Sequence, residues 1–72
     1  MFIQKDDMLI NLDFVNNIEL DVLENLNIYR LLFVFTNRTT HFHFDSKIKA
    51  EIAFVEIRNA IQHPRQNLKI II

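Results

Sequence analysis

Seventy-two residues pass without one glycine. That absence limits how the chain can turn, because glycine alone enters the left-handed backbone region at no steric cost. Asn and Asp tolerate that region best among the other residues and hydrogen-bond to their own backbone, so they should mark the turns. They fall where turns are needed. Lys5-Asp6-Asp7 separates Met1–Gln4 from Met8–Leu12, and Asp13 to Asn17 leads into Ile18–Leu23. Glu24 to Asn27 leads into Ile28–Thr36, and Asn37-Arg38-Thr39 into Thr40–Phe44. The same absence removes any glycine-rich loop that could cradle a phosphate.

Between these turns the hydrophobic period is two. Ile18-Glu19-Leu20-Asp21-Val22 sends its apolar residues to one face and its acids to the other, as a half-buried strand does. Thr40-His41-Phe42-His43-Phe44 alternates in the same way. Ile28 to Phe35 is apolar on both sides, with Leu31, Phe33 and Phe35 on one and Ile28, Leu32 and Val34 on the other. Such a strand is central and covered twice, or else it meets another molecule. The period then changes. Asp45 or Ser46 can cap a helix, Lys47 to Gln62 runs without a breaker, and His63-Pro64 ends it. The apolar end Ile70-Ile71-Ile72 reads as a late strand. The expected fold class is α+β, an antiparallel β-meander of about five strands followed by one amphipathic helix, with a short C-terminal strand.

At about 100° per residue the helix separates two apolar groups. Ala50, Ala53, Phe54, Ile57, Ala60 and Ile61 form a broad face suited to a sheet. Ile48, Ile52 and Val55 form a second stripe on the opposite side, bordered by Lys47, Glu51 and Arg58 on one flank and Lys49 and Glu56 on the other. One face suffices for a helix on a sheet. The second stripe is therefore a candidate interaction surface, unless the N-terminal hairpin or the C-terminal strand folds over it.

A chain of this length holds one domain, residues 1–72, with a core of marginal size. It has no cysteine, so neither disulfides nor thiolate metal sites can reinforce it. Half of its residues are hydrophobic, which argues against disorder. No segment approaches the roughly 20 apolar residues of a membrane span, and MFIQKDD lacks the order of a signal peptide. The expectation is a soluble, cytoplasmic protein without a membrane partner. Net charge is -1, but residues 1–36 set Lys5 and Arg30 against six acids, whereas residues 37–72 set six bases against three acids. The two halves could attract each other within the fold or between subunits, or simply form solvated faces.

The order LINLDFVNNIEL, YRLLFVFTN, FDSKIKAEIAFVEI resembles a group of small uncharacterised single-domain proteins of bacteria and phages. The resemblance covers roughly residues 8–57 and rests on hydrophobic spacing. It implies a strand meander plus one helix and a bacterial or phage origin, and brings no activity, ligand or catalytic residue. This chain departs from the pattern at Ile48 and Ile52, where small acidic or lysine residues would face solvent.

Few residues carry chemistry. His41 and His43 project from one strand face and His63 is a third imidazole, but zinc needs three or four ligands and only Asp45 lies near the pair. Ser46 is the only serine and is placed as a helix cap. The acids sit in turns or on outward positions, without a pocket to tune them. These observations predict no catalytic residue, no metal, no cofactor and no small-molecule substrate. Arg58, His63, Arg65 and Lys69, with Tyr29, Phe33, Phe35, Phe42 and Phe44 as stacking residues, would serve a nucleic-acid-binding regulator. The aromatic residues fall in core register, however, which makes nucleic acid the second reading and a His-based metal enzyme a distant third. The first is a non-catalytic protein–protein interaction module, of adaptor or inhibitor type, that forms a homo-oligomer or docks on a larger protein through Ile48, Ile52 and Val55.

Overall fold

The computed structural model describes residues 1–63 and 69–72. Strands β1 (Phe2–Lys5) and β2 (Met8–Asn11) open the chain, and a 3₁₀ turn, Leu12–Phe14, leads to β3 (Asn17–Leu23). A second 3₁₀ turn, Glu24–Leu26, leads to β4 (Ile28–Val34), followed by β5 (Thr39–His43), the helix α1 (Lys47–Gln62) and β6 (Lys69–Ile71). The class is α+β, as the alternation of periods predicts. The strands form two three-stranded sheets, ordered β2-β1-β6 and β3-β4-β5.

The division falls between β2 and β3. There the Asn11 side chain accepts from the Asp13 amide at 3.0 Å, and the Val15 amide donates to the Leu12 carbonyl at 3.2 Å. These local bonds satisfy the backbone inside the turn and redirect the chain. The Asn16 amide then donates to the Val34 carbonyl at 2.8 Å and opens the second sheet.

Asn and Asp do replace glycine where it matters. Asp6 and Asn27 are the described residues with positive φ, at 53° and 54°. Asp6 begins the two-residue loop of the β1–β2 hairpin, in which Lys5 is paired with Met8. Asn27 closes the β3–β4 connection, where its amide donates to the Glu24 carbonyl at 3.1 Å. The β4–β5 loop closes through the Phe35 amide, which donates to the Arg38 carbonyl at 2.8 Å and so ends β4 before Phe35.

β4 is the central strand of its sheet. Leu31 and Phe33 are fully buried on its inner face, and Phe33 meets Phe42 edge-on at 5.1 Å between ring centroids. Ile3 and Ile10 from the first sheet, Leu12 from the 3₁₀ turn after it, and Ala53 and Ile57 from α1 complete one core cluster with them. The outer face of β4 is covered only in part: Ile28, Leu32 and Val34 are half-buried. Cross-strand register sets Leu32 between Glu19 and His41, and Arg30 between Asp21 and His43. Arg30 Nε donates to Asp21 Oδ2 at 2.6 Å, and both side chains are half-buried.

β6 runs parallel to β1, pairing Ile3 with Ile70 and Gln4 with Ile71, and the Ile72 amide continues the ladder to the Gln4 carbonyl. The apolar end, expected as a late strand, is thus a strand of the first sheet from Lys69 to Ile71, paired within the chain.

Candidate interaction surface

α1 begins at Ser46, whose Oγ accepts from the Lys49 amide at 3.2 Å, as an N-cap does. Lys47 reaches Glu24 at 3.3 Å, and Lys49 reaches Asp45 at 3.5 Å. The Lys47–Glu24 contact joins the acidic and basic halves of the chain; the other side-chain ion pairs among the described residues lie within one half. All are at the surface or half-buried, so none adds much stability.

The helix packs closest to β3 and β4. Ala50, Ala53 and Ile57 are buried there, Phe54 and Ala60 are half-buried, and Ile61 is exposed at the helix end. The broad face of the sequence reading is therefore the packed face except at Ile61, which is 49% exposed.

The second stripe points away. Ile48 is 67% exposed, Ile52 54% and Val55 40%, and no described part of the chain lies over them. Neither the β1–β2 hairpin nor β6, both strands of the first sheet, covers the stripe. A groove beside the stripe, lined by Ile52, Ile71 and Ile72 and also by Lys5, Asp45 and Glu56, connects it with β6. Ile71 is itself 72% exposed. Two further members of this surface escaped the sequence reading. Asn59 continues the row one turn beyond Val55, a position readable from spacing alone. Ile71 joins it only through the parallel β1–β6 pairing, which no local pattern announces.

A second hollow, of about 600 Å³, opens where Met1, Leu12, Val15, Phe54, Ile57 and Ile61 meet. Its polar rim of Asp13, Asn16, Arg58 and Gln62 includes no nucleophile and no pair of carboxylates. Asp13 is engaged by the amino terminus at 3.4 Å.

The histidines do not converge. His41 and His43 are exposed and lie edge to face, 4.7 Å between ring centroids. Their neighbours across the ladder are Leu32 and Arg30, an apolar side chain and a cation. His63 ends α1, and among the described residues no group of three potential ligands forms. The donor set is that of an open polar face.

None of the five aromatic residues considered for stacking is exposed, whereas Phe2 and Phe14 are. Phe33 and Phe42 are buried, and Tyr29, Phe35 and Phe44 are half-buried. Arg38 lies over the Phe35 ring at 4.4 Å and Lys5 over Phe44 at 5.2 Å, so cations cap the outer pair. Arg58 is exposed, and Arg65 lies outside the described residues.

Among the described residues no helix is long and apolar enough to cross a membrane. No family model, no curated protein and no solved structure matches the chain, and a functional reading has to come from this surface.

Proposed function

We propose that the protein is a small non-catalytic interaction module that associates with a second copy of itself through the outer face of α1. The observation that carries this reading is the uncovered row Ile48, Ile52 and Val55 on a helix whose opposite face is already packed. Burying an Ile or Val side chain is worth roughly 1.5–3 kcal/mol, a large share of the stability of a small domain. Isolated surface apolar residues need no account, but three in one row, continued by a groove toward Ile71, form a patch of the kind that marks a contact. The bacterial or phage origin and cytoplasmic location suggested by the sequence accord with an adaptor or inhibitor of this size.

Ile52→Glu is the informative variant, because Ile52 occupies the middle of the row and is more than half exposed in the monomer. Sedimentation of the wild-type protein should give a dimer, and the folded variant a monomer. A wild-type protein that remains monomeric at millimolar concentration would overturn the reading. A folded variant that remains a dimer would also overturn it.

A further inference from the structure

We infer that the second copy packs its α1 antiparallel to the first, in one register set by charge. The inference rests on the self-association proposed above and specifies its geometry. The outer row of α1 runs Ile48, Ile52, Val55, Asn59, with steps of four, three and four residues. That alternation keeps one narrow seam in line along two helices that wind about each other, and it distinguishes such a seam from the broad face used against a sheet. All four residues are exposed.

The seam has charged flanks. Lys49 and Glu56 follow one side of it, Glu51 and Arg58 the other, and all four are exposed. In an antiparallel pair each flank meets the same flank of its partner in reverse order. Lys49 then faces Glu56 of the partner subunit, and Glu51 faces Arg58 of the partner subunit. The two-fold axis repeats both contacts, so four pairs of opposite sign surround the seam. In the same register Ile52 packs against the partner's Val55, and Ile48 against the partner's Asn59 at the wetter ends.

A parallel pair brings opposite flanks together. Glu51 would face Glu56 of the partner subunit twice, two repulsions in place of four attractions. Its compensation would be one contact between the two Asn59 side chains, of the type that fixes register in parallel helix pairs. The flanking charges outnumber that contact, and like-charge juxtaposition is how helix pairs reject the wrong orientation. The groove toward Ile71 lies on the Lys49 and Glu56 flank and widens the contact there.

The chain has no cysteine of its own, so introduced thiols report pairing without background. Ile48→Cys and Asn59→Cys variants of the full chain would be prepared separately, mixed and oxidised gently, with products identified by mass. Antiparallel packing predicts that the mixture yields mainly the disulfide between position 48 of one variant and position 59 of the other. Each variant alone should remain largely unlinked. Rapid formation of 59–59 or 48–48 disulfides by the single variants would overturn the inference. A charge exchange reads the same geometry without thiols. Lys49→Glu alone, or Glu56→Lys alone, should weaken the dimer about tenfold, and the double exchange should restore it. Failure of the double exchange to restore it counts against the register. If the wild type is a dimer and the cross-links are not between 48 and 59, the antiparallel register is wrong while self-association stands. If the wild type stays monomeric, both fall.

Discussion

At Asn27 and Asp6 the backbone holds φ near 54° without a glycine. Both positions were legible because a glycine-free chain leaves few residues able to stand there, and Asn or Asp is the least strained choice. Ser46 as N-cap was legible for a related reason: a short polar side chain stood just before an unbroken helical stretch. The role of Arg30 was not. Its partner Asp21 lies on the neighbouring strand, and only the ladder register brings them to 2.6 Å. The histidines illustrate the opposite case, a tempting pattern that gathers no group of three potential ligands among the described residues. His41 and His43 share a face with Arg30 and Leu32, so replacing both with Gln should alter stability by less than about 0.5 kcal/mol. A thermal melt with and without zinc checks this. A zinc-dependent rise in melting temperature that vanishes in the double variant would show a metal site after all.

Element by element, the sequence was most informative where the period was clean. β3, β4, β5 and α1 lie within about two residues of where alternation and capping put them, as is usual for element ends. The partition into two sheets could not be read, since a period of two says which residues share a face and nothing about which strand comes alongside. The 3₁₀ turn at Leu12–Phe14 decides that partition, and its signal is only one Asn side chain bonded two residues ahead. The β6 strand was legible as apolar chain needing a partner, yet not its parallel alignment with β1. Deleting Lys69–Ile72 removes the half-buried Ile70 and Ile72 and bares one edge of β1. The expected cost is about 2 kcal/mol or more, a fall in melting temperature on the order of 10 °C for a domain this small. Circular dichroism melts and solubility measurements check it. Equal melting of the shortened and full chains would mean that β6 contributes nothing.

For the molecule as a whole, the buried set among the described residues is short: nine hydrophobic residues, three of them on α1, against eleven large hydrophobic side chains left exposed. That imbalance was foreseeable from length and composition, because a small chain with half its residues apolar cannot hide them all. Which ones stay outside needed the structure, and Ile48, Ile52 and Val55 are the group of these that share one helix face. If association completes the fold's burial, stability depends on protein concentration. The melting temperature should then rise as concentration is raised from micromolar to millimolar, and the rise should be lost in Ile52→Glu. A melting temperature independent of concentration in a dimeric wild type would mean that the contact contributes little to folding.

The parallel alignment of β6 with β1 bears on how the chain is made. Ile3 leaves the ribosome well before Ile70, which lies beside it in the sheet. The β1–β2 hairpin can close early, but one side of β1 then stays open until β6 has been synthesised. An unoccupied edge accepts any extended backbone that comes near, including the same strand of a neighbouring nascent chain. Closing contacts so distant in sequence is also slow. The hazard this protein meets in a crowded cell is greatest during that interval, and the pairing of β6 brings the interval to an end.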